Sequence, residues 1–137
     1  MPMTADARAT LGRYFAAFNA RDPEGMLAEL SADVEHHVNE GQVRHGKVRF
    51  AEFLAHMNHC YAEELTDIVI FASDDGTRGA AEFTVNGTYR ETDPGLPEAK
   101  GQRYRLPGGS FFTLKDGLIT RVTTYYNLKD WLRQVGG

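Results

Sequence analysis

The chain has 137 residues, 42% of them apolar and 25% charged, which suits a globular protein with a core of its own and excludes a disordered one. The formal charge is only −4 and no basic stripe is present, which argues against a nucleic-acid partner. No apolar run approaches the ~20 residues of a membrane helix, so no membrane partner is expected. Met1 to Ala7 lacks the basic start and apolar core of a secretory signal. The one cysteine, Cys60, permits no internal disulfide and fits a reducing compartment. The expectation is a cytoplasmic protein with a single domain over residues 1–137.

The elements follow in chain order. Thr4 or Asp6 caps a first helix with Leu11, Tyr14, Phe15 and Phe18 at helical spacing. Asn19 to Pro23 breaks it. Asp22 and Pro23 then start a short second helix from Pro23 to about Leu30. A strand runs from Asp33 to Glu40, followed by an extended piece from Gln42 to His45. Gly46 ends that piece, and a third helix is predicted from about Lys47 to Glu64, buried through Phe50, Phe53, Leu54, Met57 and Tyr61. From Leu65 the period changes to two. Strands are predicted over Leu65–Ala72 and Arg78–Glu91, joined by an Asp-Gly turn at Asp75-Gly76. The loop Thr92–Gly101 holds two prolines and two glycines. A strand over Arg103–Leu114 follows, with a bulge or bend expected at Pro107-Gly108-Gly109. After Asp116-Gly117 comes the strand Leu118–Tyr126, and Asn127 caps a short last helix over Leu128–Val135. Helices grouped before a run of strands predict an α+β fold: a curved, cone-shaped antiparallel sheet on three N-terminal helices, closed by a short C-terminal one. Such a cone makes a site for a small apolar ligand.

The strand Asp33–Glu40 carries the chemistry. It places Val34, His36 and Val38 on one face and Glu35, His37 and Asn39 on the other. Histidine is the natural side chain for moving a proton near neutral pH. A satisfied core histidine and a solvated neighbour explain the same residues without chemistry. His56 and His59, three apart on one helix, are compatible with a shared ligand, but no Cys pair or His-Glu-x-x-His pattern accompanies them. No metal is expected. Cys60 reads as a buried structural thiol.

Three segments carry a family resemblance: Arg13 to Asp22, Asp33 to Gly46, and Phe112 to Ile119 running on to Tyr125-Tyr126-Asn127. Together with the element order they resemble the nuclear-transport-factor-2-like superfamily, in its ketosteroid-isomerase-related and SnoaL-like polyketide cyclase branch. That resemblance spans essentially the whole chain. It implies a cofactor-independent isomerase or cyclase acting by general acid/base chemistry on a small apolar carbonyl compound. The alternative is a non-catalytic ligand-binding or protein-interaction module on the same fold. In the ketosteroid isomerases a tyrosine and a protonated aspartic acid hold the developing oxyanion beside a carboxylate base. By resemblance, that tyrosine falls on Tyr14 and that aspartic acid on Ser110. The base falls on His37 when counted back from Gly46, whereas the Val34/Val38 alternation points His36 inward. Asn39 or Glu40 would orient the imidazole. The substrate wall is expected to include Phe18, Asn39, Phe53, Met57, Tyr61, Phe83, Phe112 and Tyr126. A homodimer is implied as well.

Overall fold

The computed structural model describes residues 6–39 and 41–136. Thr4 as a cap and Glu40 as an orienting group lie outside the described residues. Among those described, ten elements follow in chain order: α1 (Ala7–Asn19), α2 (Pro23–Leu27), β1 (Leu30–Val38), β2 (Arg44–His45), α3 (Lys47–Cys60), β3 (Tyr61–Ala72), β4 (Arg78–Tyr89), β5 (Arg103–Lys115), β6 (Leu118–Tyr126) and α4 (Leu128–Val135). These six strands form one sheet in the order β2-β1-β6-β5-β4-β3. The architecture is α+β, with the helices in the order and with the starts that the sequence predicts. One pairing departs from an all-antiparallel sheet: β1 runs parallel to β6, through His36 opposite Val122 and Val38 opposite Thr124. A long crossover of the chain separates these strands, so parallel pairing is available to them. Among the described residues, no helix is long and apolar enough to cross a membrane.

Local chemistry sets the helix starts. Asp6 accepts from Ala9 N at α1, Asp22 from Gly25 N at α2, and Asn127 from Asp130 N at α4. Gly46 opens α3 with φ +91°, a conformation that costs glycine little, and its N–H donates to Val34 O at 2.7 Å. Two side chains pin α1 to the sheet. Asn19 donates to Leu65 O and accepts from Leu65 N, at 2.9 and 2.8 Å. The Thr10 hydroxyl donates to Gly117 O at 3.0 Å. These bonds place Tyr14 over the concave face.

Several boundaries differ from the predicted ones. The second helix ends at Leu27, not Leu30, and β1 begins at Leu30, which is buried. The third helix ends at Cys60, and β3 starts at once with Tyr61. Leu65 thus lies inside a strand that points Tyr61 and Leu65 to the core. A register shift between Thr66 and Val69, with Asp67 at φ +54°, then restores Ile68 and Ile70 to the inner face. The expected bend at Pro107-Gly108-Gly109 is a continuous stretch of β5, paired to Thr84, Phe83 and Glu82 without a shift. Glycine there serves packing: a Cβ on Gly108 would stand 2.7 Å from the Phe83 ring.

The core divides in two. The larger part joins α1, α2 and α3 to the sheet through Leu11, Phe15, Met26, Val34, Phe50 and Phe112. The smaller part is aromatic. Tyr61 stacks on Tyr89 at 5.4 Å, and Trp131 of α4 meets Tyr61, Tyr89 and Tyr104 edge-on at 6.0, 5.1 and 5.9 Å.

Candidate active site

Between the helices and the concave face of the sheet lies a cavity of about 340 Å³. That volume suits a small organic ligand. Phe15, Phe18, Phe50, Phe53, Leu54 and Phe83 supply much of its apolar wall.

Tyr14, His36 and Ser110 all line this cavity. His36 is 3% exposed, and its Nδ1 has no hydrogen-bond partner among the described residues. Its ring packs on Phe50 at 4.4 Å and edge-on to Phe53 at 4.6 Å. Burial, then the charges of Arg44 and His37, push its pKa down to about 4. The imidazole is therefore neutral at working pH. Arg44 comes from the short edge strand β2 and lies over the Phe53 ring at 4.8 Å. Burial alone raises the Tyr14 phenol far above its ordinary value, so it is a donor at neutral pH. The Ser110 hydroxyl pairs with that of Thr124 at 2.9 Å, across the β5–β6 ladder.

The register of β1 decides between the two histidines. Val34 and His36 point inward, while His37 lies on the opposite face beside Glu35, at 3.5 Å. His37 does not line the cavity. The gapless count back from Gly46 therefore falls on a histidine that faces away from the cavity. Two expected wall residues are also placed elsewhere. Asn39 accepts from Tyr126 N and donates its own N–H to Thr124 O, closing the end of the β1–β6 pair. Phe112 is 1% exposed and is spent on core packing, edge-on to Tyr14 and Phe15 at 5.7 and 5.8 Å. Phe18, Phe53, Met57, Tyr61, Phe83 and Tyr126 do line the cavity.

A second polar group in the cavity was not predicted. Tyr104 donates a short hydrogen bond to Glu63 Oε2. Desolvation raises the Glu63 carboxyl, and the Tyr104 hydrogen bond opposes it. The pair can meet only because Gly87 separates them in the sheet: a Cβ there would stand 2.2 Å from the Tyr104 ring. The readable signal was Tyr61-x-Glu63-x-Leu65 at strand period, masked by extending the third helix to Glu64. At the rim, Tyr61 donates to Asp93 Oδ2 at 2.7 Å and His56 Nε2 meets Asp93 Oδ1 at 2.9 Å.

A family model described as a SnoaL-like domain matches residues 11–122. The chain belongs to the SnoaL-like family. A protein from Silicibacter sp. TM1040, provisionally named a polyketide cyclase, is 68% identical over 96% of both chains, with a TM-score of 0.94. A second protein so named, from Pseudomonas putida, is 53% identical over 94% of this chain and 97% of its own, with a TM-score of 0.93. An epoxide hydrolase from M. tuberculosis shares the fold at 20% identity, over 98% of this chain and 88% of its own, with a TM-score of 0.76. No curated protein sequence matches the chain. Fold and family thus agree with the resemblance read from the sequence: the nuclear-transport-factor-2-like architecture in its SnoaL-like, polyketide-cyclase-type form.

Proposed function

We propose that this SnoaL-like protein is an enzyme that moves a proton next to a carbonyl group in a small apolar, polycyclic or polyketide-like compound. The observation that carries the reading is His36: a neutral imidazole with a free Nδ1, held between two phenylalanines in an apolar cavity that Tyr14 and Ser110 also line. His36 removes a proton from the carbon beside the carbonyl. Tyr14 and Ser110 donate hydrogen bonds to the oxygen as it takes up negative charge. In an isomerase, the resulting imidazolium returns the proton to a different carbon. In a cyclase, the enolate carbon attacks a second carbonyl of the same substrate, and the new alkoxide takes the proton. The second outcome is favoured by the names of the 68% and 53% identical relatives. Both need only groups the chain supplies.

An imidazolium is disfavoured in this cavity, which makes His36 a weak base but speeds return of the proton once taken. The same weak basicity favours one second reading, a carrier that binds its ligand without turning it over. We also propose that the protein works as a homodimer packed through the outer sheet face, where Phe71, Phe111 and Tyr125 are exposed.

The test is exchange of α-protons of polycyclic ketones for solvent deuterium, followed by NMR. The enzyme reading expects exchange that is lost in His36→Gln and falls by about 10²–10³ in Tyr14→Phe. Tight ketone binding with no exchange would establish the carrier instead.

A further inference from the structure

We propose that His56, Cys60 and Asp93 form a three-ligand site for a divalent metal ion of the zinc class at the rim of the cavity. α3 places His56 and Cys60 four residues apart, hence on one face of its last turns. The loop after β4 brings Asp93 against them. One donor atom from each residue, an imidazole nitrogen, a thiol sulfur and a carboxylate oxygen, lies within 4.8 Å of the others.

The geometry is convergent. His56 Nε2 stands 2.9 Å from Asp93 Oδ1, and the same nitrogen stands 3.9 Å from Cys60 Sγ. A nucleophilic relay would use the two different ring nitrogens, one toward the thiol and one toward the acid. Here both neighbours address a single nitrogen, which has room for one proton and can serve only one of them. A shared cation satisfies all three donors. Tetrahedral bonds of ~2.0–2.3 Å hold neighbouring donors ~3.3–3.6 Å apart, between the two separations seen here. A rim ion pair alone accounts for the His56–Asp93 contact but has no use for a thiol beside it.

The surroundings are those of a prepared site. Tyr61 donates to the other Asp93 oxygen at 2.7 Å, which leaves Oδ1 as the ligand and fixes the plane of the carboxylate. The backbone around Asp93 is tied down: its N–H donates to the Tyr89 hydroxyl at 2.9 Å, and that hydroxyl donates to Pro97 O at 2.6 Å. Arg90 N and Glu91 N both donate to Cys60 O, at 2.7 and 3.2 Å, joining the loop to the end of α3. On binding, the Cys60 thiol gives its proton to solvent and ligates as thiolate. Three protein ligands leave a fourth position for water or a ligand oxygen. His56 and Asp93 both line the cavity, so the site adjoins it.

Cobalt titration of chelator-treated protein tests the proposal through its visible and near-ultraviolet spectrum. The expected result is a thiolate-to-cobalt charge-transfer band with the strong d–d absorption of a four-coordinate ion, both erased by zinc. Cys60→Ser should remove the charge-transfer band. His56→Ala and Asp93→Asn should weaken binding well beyond the roughly tenfold loss expected of Tyr61→Phe, which keeps the band. His59→Ala, exposed on the same helix, should change nothing. Circular dichroism confirms that each variant is folded. Wild-type protein without a thiolate band, or a band unmoved by both His56→Ala and Asp93→Asn, overturns the proposal. The readout is binding and not turnover, so it stands or falls separately from the proton-transfer reading.

Discussion

His36 binds a proton far less readily in the folded protein than in an unfolded chain, where its pKa is the ordinary 6.5. Between that value and about 4 the unfolded chain takes up a proton that the folded protein refuses. Stability is therefore full above pH 6.5, declines as pH falls toward 4, and loses no more on this account below it. The whole effect is roughly 3 kcal/mol at most. Thermal unfolding of wild type and His36→Leu from pH 7.5 to 4 checks this, with those pH limits chosen to span roughly both pKa values. The wild type should lose more stability on acidification, and the difference between the curves should open mainly between those pKa values. Curves that stay parallel would mean that His36 titrates as if in solvent. The Val34/Val38 alternation and the count back from Gly46 point to different histidines, and only the structure turns the His36 ring inward. The depth of its burial, and the Arg44 charge beside it, were not readable: Arg44 arrives on β2, whose place at the sheet edge comes from pairing with β1.

At the scale of elements, most of the fold was legible because its starts are chemical. Asp22-Pro23, the two Asp-Gly turns and Asn127 sit where the sequence predicts. Gly46 is the most exacting of these signals. Its φ of +91° lies where a Cβ is strained, while the space around it is open, with only Ala32 O at 3.7 Å. Gly46→Ala should therefore cost about 1–3 kcal/mol through backbone strain alone, with little change in packing. Urea unfolding measures it, and an unchanged midpoint would show that α3 can start without the left-handed residue. The ends were less legible than the starts. α3 stops at Cys60, with no glycine to announce it, because Tyr61 begins pairing to Tyr89 and tertiary pairing outweighs helical propensity there. That boundary puts Glu63 on β3, where it lines the cavity, and not on the helix that the sequence predicts as far as Glu64.

At the scale of the molecule, one surface remains unexplained by the monomer. Phe71 and Phe111 flank Ala80 at one register of the sheet, and Tyr125 packs edge-on to Phe111 at 5.9 Å. Phe71, Phe111 and Tyr125 are each about half exposed, at 56%, 50% and 53%. Aromatics grouped on the outer face of a sheet mark a contact surface. Sedimentation should find a dimer, and Phe111→Glu should shift it to monomer without loss of secondary structure, since the side chain points away from the core. A wild-type monomer at tens of micromolar, roughly, would sink the proposed dimer.

Local signals in the chain determine much of this protein by themselves. Periodicity separates helices from strands, caps and Asp-Gly turns set their starts, and the order of elements is enough for an α+β cone; the SnoaL-like kind came from the resemblance of three short segments. These features act over a few residues, so they can be read a few residues at a time. The tertiary structure alone decided which polar groups share space. Tyr104 reaches Glu63 across Gly87, from three different strands, and Asp93 meets His56 and Cys60 across a loop and a helix. Each of these meetings depends on strand register and loop closure between distant segments. One residue of register reverses a strand's faces, and local propensity carries no information about it.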